Sequence, residues 1–203
     1  MASDPQHSLS SRDRIIQAAD EVFLAEGTLP ISLPDVASRA DVSRSLIYAH
    51  FPNQTDLMNA VIARHVARLD TRLSFHSNGN TEDTAAQIAS DYFDHLISLG
   101  PTIALAPKDS FLAADLCEDY KRLARRATRF LGSLARKAFV LPPRDAVASA
   151  IMMTALPESA AIAVWKKTID AETAREAMMD SVRKSVSALT RHDFNEAADP
   201  SSV

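Results

Sequence analysis

Arg44, Ser45, Tyr48 and His50 lie within one seven-residue stretch, Arg44 to His50. Read as a helix, it sets Ile47 and Phe51 four residues apart on a buried face and leaves Arg44, Ser45, Tyr48 and Ala49 to face outward. An arginine at such a tip presents a planar fork of donors that matches the two acceptors on a guanine edge. This is the chemistry of reading a nucleic acid, and it involves no bond making. Elsewhere the chain has no Gly-rich phosphate loop, no Ser nucleophile elbow, and no histidine paired with Cys or a second His at metal-ligand spacing.

Two short helices must hold that tip. Ser32 is placed to cap the first, and Asp35 adds a carboxylate where the helix dipole favours one. Val36, Ala37 and Ala40 give this helix a small apolar face, and Asp41-Val42-Ser43 then interrupts the pattern. Val42 plugs the turn and Ser43 caps the second helix. Two short helices joined through three residues form a helix-turn-helix unit, whose second helix can enter a major groove.

At these residues the sequence resembles the DNA-binding domain of the tetracycline-repressor (TetR) family. The matching motifs are Ser32-Leu33-Pro34-Asp35-Val36-Ala37, then Asp41-Val42-Ser43, then Ile47-Tyr48-Ala49-His50-Phe51, followed by Pro52-Asn53-Gln54-Thr55-Asp56-Leu57. The resemblance runs from about Arg14 to about Ile62. It implies DNA contacts from Ser32, Ser43, Arg44, Ser45, Leu46, Tyr48, His50 and Gln54, with Tyr48 and His50 bonding phosphates. Three positions depart from the family pattern. Asp41 stands where glycine is usual, and Pro34 replaces a polar contact. Gln54 replaces a phosphate-binding lysine. Leu46, where the family often has a hydroxyl, offers only an apolar contact such as a thymine methyl.

Composition bounds the rest. The 203 residues are 46% apolar and 24% charged, with 4 glycines and abundant alanine, which favours helices. A single cysteine, Cys117, excludes an internal disulfide and reads as a packed thiol. No apolar run approaches the ~20 residues that span a bilayer, and the N-terminus lacks the apolar core of a signal peptide, so a cytoplasmic protein is expected. Net charge is −4, and residues 1–75 carry seven arginines against nine acids. DNA binding must therefore rely on local field rather than bulk charge.

No strand alternation and no repeat appears, so the expected fold is all-α: a three-helix helix-turn-helix domain plus a larger helical domain for ligand binding and dimerisation. The expected divisions are a tail at 1–10, the helix-turn-helix domain at 11–52, a connecting helix at 53–77, an effector-binding and dimerisation domain at 81–192, and a tail at 193–203. Within them, helices are expected over 11–26, from 53 or 54 to Leu73, and from a cap at Thr81 or Thr84 to Gly100-Pro101 after a break at Ser77 to Asn80. Thr102 to Lys108 reads as a loop or short helical piece. A continuous helix follows over 109–139, then one beginning at Pro142-Pro143 and kinked at Pro157, and a last one capped by Asp170 or Thr173.

The resemblance further implies a small-molecule effector pocket. Tyr92, Phe93, Leu96, Phe111, Tyr120, Met152, Met153 and Leu156 are its candidates, each of which can equally be core. Glu158 beside the kink reads as a surface carboxylate, with a buried anchor as the alternative. Arg122, Arg125, Arg126 and Arg129 form a stripe that reads as a solvated face paired with acids, or else as a site for an anionic partner. No metal and no cofactor is implied. The partners expected are a pseudo-palindromic DNA operator, a small effector and a second copy of the chain, docked through the two C-terminal helices; none is a membrane. A regulator without an effector, and a helical enzyme, are the other classes.

Overall fold

The computed structural model describes residues 9–73, 80–139 and 143–196. Among them the secondary structure is all helical, as expected. The helices are α1 (Ser11–Glu26), α2 (Leu33–Ala40), α3 (Arg44–His50), α4 (Gln54–Asp70) and α5 (Thr81–Leu99). They continue as α6 (Thr102–Leu105), α7 (Ser110–Ala113), α8 (Glu118–Phe139), α9 (Pro143–Trp165) and α10 (Ala171–Glu196), with a 3-10 turn at Ala106–Lys108. Residues 1–8 and 197–203 of the expected tails, residues 77–79 of the expected break, and Pro142 lie outside the described residues.

The chain packs as two units, Met1–Ala67 with Thr102–Lys121, and Arg68–Pro101 with Arg122–Val203. The stretch 102–121, which the sequence groups with 81–192, therefore packs with the N-terminal helices. In that first unit, the Ser10 hydroxyl caps α1 by accepting from the Asp13 amide, and Gly27, at φ 72°, closes it with a bond to the Phe23 carbonyl. Ile15, Ala19, Val22 and Phe23 of α1 are buried together with Val36, Ile47, Phe51, Leu57 and Val61. Each large side chain removed from water contributes about 1.5–3 kcal/mol.

Polar bonds reach into the same core. Asp20 on α1 is 6% exposed. Its Oδ2 accepts from Nε2 of His65 at 2.8 Å and from the Arg64 guanidinium at 3.2 Å, both on α4. Its Oδ1 accepts from the Thr102 hydroxyl at 2.6 Å. Burial pushes the Asp20 carboxyl up, but hydrogen bonds from His65 and Thr102 and the charges of His65 and Arg64 more than offset this. Asp20 is thus held below its ordinary value.

A second polar anchor explains why the helix expected over 109–139 is broken. The Asn59 side chain on α4 donates to the Asp115 carbonyl at 2.7 Å and accepts from the Cys117 amide at 2.8 Å. This carboxamide serves backbone groups that a continuous helix would have paired internally, so α7 stops at Ala113 and α8 starts at Glu118.

In the second unit α5, α9 and α10 pack on one another. Phe93, Leu96 and Ala89 of α5 are buried, as are Ala161 of α9 and Met178 and Val182 of α10. Arg175 on α10 pairs with Asp94, donates to the Ser90 hydroxyl at 3.1 Å and lies 5.2 Å from the Phe93 ring centre. Glu158 is half-buried and accepts from the Tyr92 hydroxyl at 3.1 Å, which replaces the surface carboxylate expected from sequence. Of the basic stripe, Arg126 pairs with Asp70.

Three helix ends also differ from expectation. The cap of α5 is Asn80, whose side chain accepts from the Asp83 amide at 2.8 Å, rather than Thr81 or Thr84; the Thr84 hydroxyl instead donates to the Asn80 carbonyl. Helix α4 stops at Asp70, short of Leu73, and α10 continues through His192 to Glu196.

Replacing Asp20 by Asn strips the compensating charge from Arg64 and leaves buried donors poorly paired, so a loss of about 3–5 kcal/mol is expected in urea unfolding at neutral pH. Because the folded carboxyl titrates lower than the unfolded one, its contribution is complete above the ordinary value of 3.8 and fades as pH falls through the lower folded value. The stability gap between parent and Asp20→Asn is expected to narrow only in that acid range. A gap that closes between pH 7 and 5 contradicts the assignment.

Candidate nucleic-acid interface

Side-chain caps build the helix-turn-helix from its own sequence. The Ser32 hydroxyl accepts from the Asp35 amide at 3.4 Å, and Pro34 occupies the first turn of α2, where no amide partner is lost. Asp41 adopts the left-handed conformation at φ 50°, and its amide donates to the Ser38 carbonyl at 3.3 Å while Val42 donates to Ala37 at 3.1 Å. Aspartate tolerates this backbone better than most residues, so the turn forms without the usual glycine. Ser43 then caps α3, its hydroxyl accepting from the Leu46 amide at 3.2 Å and lying 3.0 Å from the Ser45 hydroxyl.

Helix α3 is only 7 residues long, and one side chain within it, Ile47, is buried. Arg44, Ser45, Tyr48, Ala49 and His50 are exposed, and Leu46 is half-buried. Tyr48 is 49% exposed, too open for a residue that serves only to cover the core. Arg44 has no ion pair among the described residues. The His50 ring tilts at 50° against Phe51, with 6.3 Å between ring centres. Ser32 is half-buried and occupied as a cap, whereas Ser43 remains exposed. Gln54, at the start of α4, is half-buried with its side-chain oxygen enclosed and unbonded, so that atom is not presented to solvent.

Sequence reading passed over Arg12. Its exposed guanidinium sits over the Phe51 ring, 5.1 Å from the centre. No local pattern could reveal a partner so far along the chain.

The residues named for an effector are divided. Phe111, 40% exposed, and Tyr120, half-buried, fall in the first unit; the others fall in the second. There, Phe93 and Leu96 are fully buried, Tyr92 is bonded to Glu158, and Met153 and Leu156 are half-buried. The Met152 side chain lies outside the described residues.

Residues 15–61 match the family described as "Bacterial regulatory proteins, tetR family". Over 62 residues the chain is 40% identical to the HTH-type transcriptional regulator SrpR of Pseudomonas putida, a match covering 30% of this chain and 29% of that one. Residues 15–61 thus carry a DNA-binding domain of the TetR type. The chain spans less than half of the length of the curated relatives it matches. The fold likeness is wider. A TetR-like transcriptional regulator from Rhodococcus sp. RHA1 superimposes with a TM-score of 0.67 at 15% identity, covering 87% of this chain and 96% of that one. FadR from Bacillus subtilis, solved in complex with stearoyl-CoA, gives 0.62 at 16% identity, covering 84% and 96%.

Ser43→Ala removes the one side-chain cap of a two-turn helix and is expected to cost about 1 kcal/mol in chemical denaturation. Amide exchange should quicken first at Leu46 and its neighbours. Unchanged exchange there would show that the cap does not hold the tip.

Proposed function

We propose that this chain is a TetR-family, sequence-specific DNA-binding transcription regulator, and that it acts as a homodimeric repressor released from its operator by a small apolar or weakly anionic effector. The observation that carries the reading is the composition of α3. One side chain anchors the helix, and a cation without an ion pair among the described residues stands at its exposed start with hydroxyl and imidazole groups beside it. In this reading Arg44 reads a base edge, Ser45 and Leu46 contact the groove, and Tyr48, His50, Ser43, Ser32 and the first amides of α2 fix the phosphates. Gln54 has a smaller part, because its oxygen is enclosed.

Two recognition helices about 34–36 Å apart would enter successive major grooves of a pseudo-palindromic site. The dimer would form through α9 and α10, where alanines such as Ala160 permit close helix approach. The complex of similarly folded FadR with stearoyl-CoA supports an effector with apolar character. Effector and operator would then oppose each other reciprocally, by ~1–3 kcal/mol.

Selection of duplexes from a random pool by the purified protein is the test. A palindromic consensus is expected, and recovery of no consensus at low salt refutes the reading. Arg44→Ala is expected to lose about 1–3 kcal/mol per half-site on the selected duplex and to relax the preference at one base pair of each half-site. An Arg44→Ala protein that selects the parent's consensus with the parent's affinity would remove Arg44 from the interface.

A further inference from the structure

We infer that Arg12, on the first turn of α1, is an additional phosphate-binding residue that acts together with His50 at the end of α3; the inference rests on the DNA-binding reading above. The two residues are 38 positions apart in sequence, yet both meet the same aromatic ring. Phe51 is 4% exposed and anchored in the core. The Arg12 guanidinium carbon lies 5.1 Å from its ring centre, and the His50 ring centre lies 6.3 Å away. Phe51 is therefore a fixed platform that keeps an exposed cation from α1 within about 11 Å of an exposed imidazole from α3, the sum of the two distances to its ring.

Stacking of this kind uses the face of the guanidinium and leaves the N–H groups around its edge for an oxygen ligand. It also holds a long side chain that solvent would otherwise leave mobile. The charge is not already spent. Arg39 pairs with Glu21 and Arg64 with Asp20, whereas Arg12 has no ion pair among the described residues. The adjacent acid, Asp13, is occupied by the cap, its Oδ2 accepting from the Ser10 hydroxyl at 2.6 Å. In a stretch where acids outnumber arginines, a preorganised cation without an acidic partner beside the recognition helix is suited to the backbone of bound DNA. Phosphates follow one another every ~3.4 Å of axis along a strand, so two groups held within about 11 Å of each other by one ring fall within the span of a few successive phosphates.

The competing account is that Arg12 only shields the Phe51 ring from water. Full-length parent, Arg12→Gln, Arg12→Lys and Arg12→Met are titrated by fluorescence anisotropy against the selected duplex and a scrambled one, over a fourfold range of potassium chloride. Arg12→Gln and Arg12→Met are expected to bind both duplexes more weakly by a similar factor. With one such contact per protomer of the homodimer, their log–log salt dependence should be shallower by about 1.8, so they lose roughly 12-fold less affinity than the parent across that range. Arg12→Lys should restore the slope. Arg12→Met keeps apolar cover on the ring, so it carries the test even if Arg12→Gln loosens the fold. A slope equal to the parent's in both neutral variants overturns the inference while leaving the regulator reading intact. A parent that binds neither duplex overturns that reading, and the role of Arg12 with it.

Discussion

A carboxylate sealed from water needs partners that make up for lost hydration, and the Asp20 carboxylate finds them on two distant segments. His65 and Arg64 come from α4 and Thr102 from the start of α6, so one residue of α1 ties three stretches of chain into a single unit. Hydrogen bonds to a charged group are directional and are worth about 1.5–3 kcal/mol each. This fixes where α1 and α4 lie, and α1 in turn packs against α3.

Helix α3 itself is held by few contacts. Ile47 is buried within it, Phe51 just beyond it, and Ser43 closes its start. So short a helix is not stable by its own propensity, because nucleation costs more than two turns of hydrogen bonds return. Its order is borrowed from its two ends and from the packed helices below. The arrangement leaves nearly every other side chain of α3 available for contact, which is what a reader of base edges requires. It also explains how an acidic protein can carry such a surface: Glu21 and Asp20 are paired with Arg39 and Arg64, while Arg44 and Arg12 are left without acidic partners among the described residues.

Much of this was legible in the sequence, and the boundary between what was and was not is physical. The ends of α1, α2 and α3 follow from residues within four positions of each end, and Ser32, Asp41, Ser43 and Gly27 announce them. The all-α fold follows from composition and spacing. What could not be read depends on partners far along the chain. Asp20 meets His65 across 45 positions and Thr102 across 82, and Asn59 meets Asp115 across 56. Without Asn59 in view, the apolar spacing of 109–139 reads as one helix; with it, the break at 114–117 has a cause. Asn80 was hidden by a different competition, since two threonines nearby are also good caps and only geometry chooses among them. The residues named for an effector were chosen for being aromatic or soft, a criterion that cannot separate a core side chain such as Phe93 from one that lines a cavity.

Connectivity gives the buried carboxylate a second consequence. Thr102 follows directly on Gly100 and Pro101, which end α5, so two residues of chain separate the last turn of a helix in the second unit from a hydroxyl inserted in the first. A tether that short has little slack, at most about 3.3–3.6 Å per residue and less where proline fixes the backbone. Where the chain enters the first unit, its first side chain is thus bonded at once: the Thr102 hydroxyl on the Asp20 carboxylate, worth about 1.5–3 kcal/mol, sets the start of α6 against α1.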